Sequence, residues 1–167
     1  MLYYIKQWLS DENLGPTPTQ RDELMKWDGT FEELPIGEIE SCVHHVDGAA
    51  IDAFASAIRS FNPIHMDREW TRANTHYPDR IAHGVMTTAL MSPAITGFCT
   101  RWRIRTALVS TSSKYVRPVI AGDTVTTTLT LVEKHRERKR FVLKAESRNQ
   151  HGEVVMVGEA VEQVLGP

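Results

Sequence analysis

Four strand-like segments follow one another in the last third of the chain, and they constrain the fold more than any other feature. They cover residues 106–116, 124–133, 140–147 and 154–165. In the second segment, valine and leucine alternate with threonine from Thr124 to Glu133, the period of two that is typical of a strand with one buried face. Gly122-Asp123 and Asn149–Gly152 are turn signals between neighbouring segments. Short turns favour antiparallel pairing, so the sequence predicts an antiparallel sheet.

The segments before this sheet predict one further strand and two capped helices. Residues 36–46 have the pattern of a strand, and Asp47 is placed to cap a helix through Ile58. We expect residues 59–65 to form a loop, because Asn62-Pro63 is a turn signal. Asp67 is placed to cap a second, short helix that ends near residue 72.

One long apolar segment is the candidate for a central helix. Residues 85–98 are apolar on most of a helical circumference, and a helix without a polar stripe is a buried helix. Pro93 is expected to kink it and Gly97 to end it. An antiparallel sheet wrapped around this single helix is the economical solution, so the fold class is α+β.

The length and composition favour a single intracellular domain. The chain has 167 residues, and residues 1–35 read as an N-terminal extension of a domain that spans residues 36–167. Because no apolar run approaches the roughly 18–20 residues of a membrane span, we expect no membrane segment. The N-terminus lacks the pattern of a secretory signal. The two cysteines have no metal-binding spacing and suit a reducing compartment, which predicts a cytoplasmic protein.

The net charge of −2 hides an uneven distribution. Residues 1–58 contain 11 acids and 3 bases, whereas residues 59–167 contain 10 acids and 16 bases. A basic region of this size suits phosphorylated ligands or an acidic carrier protein, and no readout motif points to nucleic acid. The cluster Lys134–Arg140 is either a solvated turn or a contact for such phosphates. Arg101, Arg103 and Arg105 are expected to extend the same surface.

Two short motifs carry the chemistry. Ser60-Phe61-Asn62-Pro63-Ile64-His65 lies in the predicted loop, and Ile81-Ala82-His83-Gly84-Val85-Met86 leads into the central helix. Free backbone N–H groups at the start of a helix can hold a developing oxyanion, and a nearby histidine can move a proton. This pairing suits chemistry next to a thioester carbonyl, where an enolate must be stabilised.

These motifs resemble the signature of the MaoC-like, (R)-specific enoyl-thioester hydratase and dehydratase family, which has the hotdog fold. The resemblance runs from Ile36 to the end of the chain. It implies that His65 is the acid/base, that Asn62 positions the substrate or water, and that the Gly84 amide is the oxyanion donor. His83 is expected to fix the loop and line the substrate site. It also implies a homodimer or a dimer of dimers, with a heteromer as the alternative.

The resemblance further implies an acyl thioester as substrate and no metal or redox cofactor. The coenzyme A or phosphopantetheine arm would belong to that substrate. One position departs from the family pattern, because Ser60 replaces the aspartate that acts with the histidine. A serine hydroxyl stays neutral near pH 7 and cannot act as the base. Arg59 replaces the glycine before it and is either a solvated side chain or a clamp for an anionic substrate.

Three functions therefore stay open at this point. The first is a lyase that hydrates or dehydrates an acyl thioester with His65 alone as acid/base. The second is a hotdog acyl-thioesterase. The third is a non-catalytic partner subunit of a hydratase pair.

Overall fold

The structure, a computed structural model, describes residues 26–166. Most of the predicted N-terminal extension, residues 1–25, therefore lies outside the described residues. The elements follow one another as strand β1 (Ile39–Val46), helices α1 (Gly48–Ile58), α2 (Pro63–Met66), α3 (Arg68–Asn74), α4 (Gly84–Ala89) and α5 (Met91–Arg101), and strands β2 (Arg105–Tyr115), β3 (Asp123–His135), β4 (Arg140–Arg148) and β5 (Val154–Leu165).

The five strands form one antiparallel sheet in the order β1-β3-β4-β5-β2. The period of two in β3 is confirmed, because Val125, Leu129 and Leu131 are fully buried on the face toward the helices. Thr127 shares this face and hydrogen-bonds Ser147 across to β4 at 2.8 Å, so its hydroxyl is satisfied inside the core. The sheet and the long helix that it wraps give the predicted hotdog arrangement.

The central helix is interrupted once, at Leu90, and this break has a covalent cause. Pro93 has no N–H to donate to the Ala89 carbonyl, and its ring crowds that carbonyl. The helix therefore restarts as α5, in which Met91, Ala94 and Phe98 are buried against the sheet. The opposite face is exposed, with Val85 as its largest apolar side chain.

The predicted helix end at Gly97 is wrong, because α5 continues to Arg101. Gly97 lies where the helix meets β1, and a Cβ there would come within 3.3 Å of the Glu40 side chain. This glycine therefore allows close packing between α5 and β1 and does not end the helix.

The segment before β1 packs against the body of the domain. Phe31 and Leu34 are each only 2% exposed and belong to the main hydrophobic core. Lys134, from the basic cluster, donates hydrogen bonds to the backbone carbonyls of Glu32 and Leu34 and lies over the Phe31 ring. Lys134 thus binds the segment before β1, and Arg136–Arg138 of the same cluster form the turn between β3 and β4.

The expectation that Arg101 and Arg103 extend the basic surface is wrong. Arg101 forms ion pairs with Glu38 and Glu40, at 2.9 and 2.6 Å. Arg103 pairs with Asp28 at 2.8 Å. Both arginines therefore neutralise acids: Arg103 pairs with the segment before β1, and Arg101 pairs with the end of that segment and with β1 itself.

Strand β2 forms one edge of the sheet and is exposed along most of its length. It pairs with β5 on one side only, and Leu108, Val109 and Tyr115 are between 42% and 55% exposed. Within residues 26–166, no helix is long and apolar enough to cross a membrane.

Candidate active site

His65 lies on the one-turn helix α2, so the predicted loop over residues 59–65 is wrong from Pro63 onward. The Asn62 side chain caps this helix by accepting a hydrogen bond from the Ile64 amide at 3.2 Å. Pro63 follows at the first helical position, where its fixed φ favours a helix and its missing N–H is not needed. Asn-Pro is therefore a helix start in this chain, and the helix gives His65 a defined direction.

Hydrogen bonds with Ile81 fix the position and the tautomer of His65. Its Nδ1 lies 2.8 Å from the Ile81 carbonyl oxygen, and the Ile81 amide donates to the Ile64 carbonyl at 3.2 Å. Because a carbonyl can only accept, Nδ1 carries the hydrogen and donates it, and Nε2 keeps a free lone pair. His65 therefore presents a basic nitrogen on a half-buried ring whose orientation is fixed.

The surroundings of His65 favour its neutral form. Burial lowers the pKa of His65 below its ordinary value, the hydrogen bond to Ile81 acts in the opposite direction, and the neighbouring His83 lowers it further. A neutral imidazole is the form that can accept a proton, so the site holds a base that is ready near neutral pH.

His83 stacks on His65 and connects the two motifs. The ring centroids are 3.7 Å apart, and the ring planes differ by 29°. Its Nε2 donates a hydrogen bond to the Ser60 carbonyl at 3.0 Å, whereas no partner of its buried Nδ1 is recorded within residues 26–166. His83 thus ties the segment at Ser60 to the start of the central helix. Its contact with substrate stays a prediction.

Arg59 ends helix α1 in the left-handed conformation, with φ 55°. Its amide donates to the carbonyls of Ala55 and Ser56, the pattern of a helix C-cap for which glycine has no steric cost. This explains why the family signature has a glycine at the position of Arg59. The arginine side chain is exposed, and no ion pair is recorded for it within residues 26–166.

Ser60 is held by its backbone. Its amide donates to the Ala55 carbonyl at 3.0 Å, and its own carbonyl accepts from His83. No hydrogen bond of its hydroxyl is recorded among the described residues. The nearby carboxylate of Asp67 accepts a hydrogen bond from the Trp70 amide at 2.9 Å as the cap of α3.

Gly84 begins the central helix directly after His83. No hydrogen bond from its amide is recorded in the part of the chain that the structure describes, as expected for the first residue of a helix. A Cβ on Gly84 would come within 2.9 Å of the Tyr115 ring. The absent side chain therefore makes room for Tyr115, in addition to any room it leaves for a ligand.

Tyr115 and Thr88 are site residues that the sequence reasoning missed. The Tyr115 hydroxyl lies 2.8 Å from the Thr88 hydroxyl, which also donates to the Ser113 hydroxyl at 2.9 Å. This group of hydroxyls lies one helical turn after Gly84. No sequence signal joins residue 84 to residue 115, because their proximity depends on how β2 passes the helix.

No cluster of three metal-ligating side chains occurs within residues 26–166. The predicted lack of a metal or redox cofactor stays a prediction.

Comparison with known proteins decides the family. A family described as "MaoC like domain" matches residues 39–153, which lie inside the predicted domain. The chain belongs to the MaoC-like domain family. A protein of Rhodospirillum rubrum named (R)-specific enoyl-CoA hydratase is 33% identical over 135 residues, which cover 80% of this chain and 90% of that protein.

Two further relatives carry related names. The protein named 3-hydroxybutyryl-CoA dehydratase of Methylorubrum extorquens is 33% identical over 80% of this chain and 83% of that protein. The unliganded structure of the R-hydratase PhaJ1 from Pseudomonas aeruginosa superposes with a TM-score of 0.73. It is 28% identical and covers 82% of this chain and 86% of that one.

This MaoC-like domain has a cavity of about 680 Å³ between its central helix and strand β2, called the helix–β2 cavity below. Val85 and Thr88 line it close to the start of the helix, and Cys99 and Trp27 line it farther along. Val85, the residue that follows Gly84, lines one end of the cavity, and the cavity follows the helix from there toward Cys99.

Proposed function

We propose that this MaoC-like domain catalyses the reversible hydration of a 2-enoyl thioester to an (R)-3-hydroxyacyl thioester. One observation carries the proposal: His65 keeps a free Nε2, and His83, which stacks on it, is followed directly by the unbonded amide of Gly84. A base and an oxyanion donor in one site are what this reaction needs. The names of the relatives support the same chemistry.

The steps of hydration follow from these two groups. His65 Nε2 removes a proton from water as the water oxygen bonds to C3 of the enoyl group. The electron pair of the C2–C3 double bond moves into the C1–C2 bond, and the carbonyl electron pair moves onto the thioester oxygen, which accepts a hydrogen bond from the Gly84 amide as an enolate. The enolate then collapses, and the proton on Nε2 passes to C2. Dehydration runs through the same steps in reverse, and the scheme requires no metal or redox cofactor.

The residues beside the base have supporting roles in this proposal. The free hydroxyl of Ser60 orients the attacking water but cannot share the proton, so turnover is slower than with a carboxylate by up to about 10²–10⁴-fold. Asn62 acts mainly through the cap that positions His65. The exposed guanidinium of Arg59 is available for an anionic group of the thioester. In this scheme coenzyme A, or the phosphopantetheine arm of a carrier protein, belongs to the substrate.

The assembly that we propose is a homodimer formed through β2. An exposed edge of 11 residues with apolar side chains is a template for pairing with another strand. Pairing with a second copy would also cover the open side of the helix–β2 cavity. Analytical ultracentrifugation of the protein alone tests this assembly. A monomer would favour the heteromeric alternative, and the cytoplasmic location stays a prediction.

Mass spectrometry after incubation with a panel of 2-enoyl- and 3-hydroxyacyl-CoAs tests the function. The panel includes dicarboxylic acyl groups, and the variants His65→Ala and Ser60→Asp are assayed beside the wild type. We expect a mass change of one water in the wild type, loss of turnover in His65→Ala, and faster turnover in Ser60→Asp. A preference for dicarboxylic groups would support a clamp role for Arg59.

Other outcomes would contradict the proposal. Release of free thiol would indicate a thioesterase. Absence of turnover in the wild type together with hydration by Ser60→Asp would show an intact pocket with another native task. Absence of turnover in every variant would favour the non-catalytic partner subunit.

A further inference from the structure

Glu162 is a buried carboxyl group that the proposed reaction does not use. It lies on the inner face of β5 between Ala160 and Val164, which both belong to the hydrophobic core. Glu162 is itself only 2% exposed, and its side chain lines the helix–β2 cavity. Burying an acid at a core position costs free energy unless the carboxyl group is hydrogen-bonded, so Glu162 is expected to have hydrogen-bond partners in the cavity.

The described residues provide only some of the hydrogen bonds that the Glu162 carboxyl group can form. The Thr106 hydroxyl lies against the carboxyl, and the Cys99 thiol lies 3.3 Å from the same hydroxyl. Burial raises the pKa of Glu162, Thr106 opposes this shift, and no cation contributes to it. A carboxyl group has about four acceptor positions, so one hydroxyl leaves most of its hydrogen-bonding capacity unused.

The rest of the cavity wall suits a chain with a polar group. Ser92, Thr96 and Thr111 add hydroxyls beside apolar side chains such as Ile95. A cavity for a plain alkyl chain needs no carboxyl, and burying such a chain beside Glu162 would remove any water that satisfies it. A hydroxyl group on the ligand can both donate and accept, so it suits the carboxyl in either protonation state.

The distance along the helix sets where that hydroxyl would lie. From Val85, where the cavity begins, to Cys99 the helix rises about 21 Å at about 1.5 Å per residue. An extended chain advances roughly 1.2 Å per bond, so about 17 bonds separate these two residues. The polar group would therefore lie near the far end of a long acyl chain.

We propose that Glu162 makes the helix–β2 cavity selective for acyl thioesters that carry a hydroxyl group near the end of the chain remote from the thioester. This inference rests on the proposed function for the position of the thioester, and it names the substrate class of the same site. Glu162 and Thr106 bind the hydroxyl, and they do not touch the reacting atoms.

Two measurements on the 167-residue chain test the inference, and the first does not depend on turnover. Isothermal titration calorimetry compares saturated acyl-CoAs of 8 to 20 carbons with their ω-hydroxy and ω-carboxy counterparts, none of which can be hydrated. Enoyl-CoAs with the same pairs of chains give kcat/KM. The variants are Glu162→Leu, Glu162→Met as a second apolar replacement, and Glu162→Gln, which keeps a hydrogen-bonding group. Glu159→Gln, on the exposed face of the same strand, is the matched control.

We expect the wild type to bind an ω-hydroxy ligand at least about 10-fold more tightly than its unsubstituted partner at one or more chain lengths. Glu162→Leu and Glu162→Met should lose this preference, whereas Glu162→Gln and Glu159→Gln should keep it. Equal affinity for both ligands at every length in the wild type overturns the inference. So does a preference that survives in both apolar variants. Tighter binding of ω-carboxylate chains also overturns it, because Arg105, which lines the same cavity, would then select the ligand.

The two proposals fail in distinguishable ways. If no enoyl-CoA turns over but the binding preference depends on Glu162, the proposed function fails and the selectivity stands. If enoyl-CoAs turn over without any dependence on Glu162, the selectivity fails and the proposed function stands.

Discussion

The replacement Gly84→Ala tests whether Tyr115 defines the start of the central helix. A Cβ at residue 84 would lie 2.9 Å from Cε2, 3.1 Å from Cδ2 and 3.2 Å from Cζ of the Tyr115 ring. Ordinary contacts begin near 3.4 Å, so the ring must move by about 0.5 Å. The ring is rigid, and its hydroxyl is bound to Thr88. Overpacking costs about 1–3 kcal/mol of unfolding free energy in a tight core, and because Tyr115 is 45% exposed we expect a cost of about 1 kcal/mol here.

Helix propensity acts in the opposite direction, because alanine is favoured over glycine by up to about 1 kcal/mol. The net loss of unfolding free energy in Gly84→Ala should therefore be about 0–1 kcal/mol, at about 2–4 °C in Tm for each kcal/mol in a chain of this size. The sharper quantity is the coupling with Tyr115. In a Tyr115→Ala background the clash is absent, so Gly84→Ala should become neutral or stabilising.

Thermal and urea unfolding of the wild type, the two single variants and the double variant form a double-mutant cycle for this contact. We expect a coupling free energy of about 1 kcal/mol. If Gly84→Ala had the same effect in both backgrounds, the packing argument would be refuted. The turnover of each variant is recorded separately, because a shifted helix start also moves the proposed oxyanion donor.

Three further replacements follow from the structure. Arg59→Gly should raise the unfolding free energy by up to about 1 kcal/mol, because glycine adopts the left-handed φ without a steric cost; a lower Tm would contradict this. Thr127→Val should cost about 1–3 kcal/mol by leaving the buried Ser147 hydroxyl unpaired, and adding Ser147→Ala should recover most of the loss in urea unfolding. The pKa of His65 is lower in the folded protein than in the unfolded chain. The stability that its neutral ring contributes is therefore fully present above the unfolded pKa of about 6.5, and it is lost as the pH falls from there toward the folded pKa. Denaturation curves at pH 5–7.5 should show this slope in the wild type and not in His65→Gln, and the basic form should set an apparent pKa below 6.5 for kcat/KM.

Much of the fold could be predicted because its signals are local. Asp47 and Asp67 cap the helices that they were expected to cap, since capping depends on residues two or three positions away. The alternation in β3 predicts that its valine and leucine side chains face the core, and these side chains are buried from Val125 to Leu131. The interruption of the central helix also follows from one residue, Pro93.

The errors concern residues whose role depends on distant contacts. Gly97 looked like a helix end, and its close approach to Glu40 in β1 cannot be read from neighbouring residues. Arg101 and Arg103 looked like free bases until β1 and the segment before it placed acids beside them. Tyr115 had no signal at all. Glu162 did have a sequence signal. The alternation of β5 places it on the same face as the apolar Ala160, and an acidic residue on a buried face is unusual.

The backbone of Ser60, and not its side chain, holds this residue in the site. Its carbonyl accepts a hydrogen bond from His83, and its amide donates to the Ala55 carbonyl of α1. A replacement of the Ser60 side chain should therefore leave His65 in place, because His65 is anchored by the Ile81 carbonyl. Ser60→Asp should thus add a carboxylate to a framework that already holds the proposed base. A change in turnover in that variant would measure the chemistry of the carboxylate and not a rearrangement of the site.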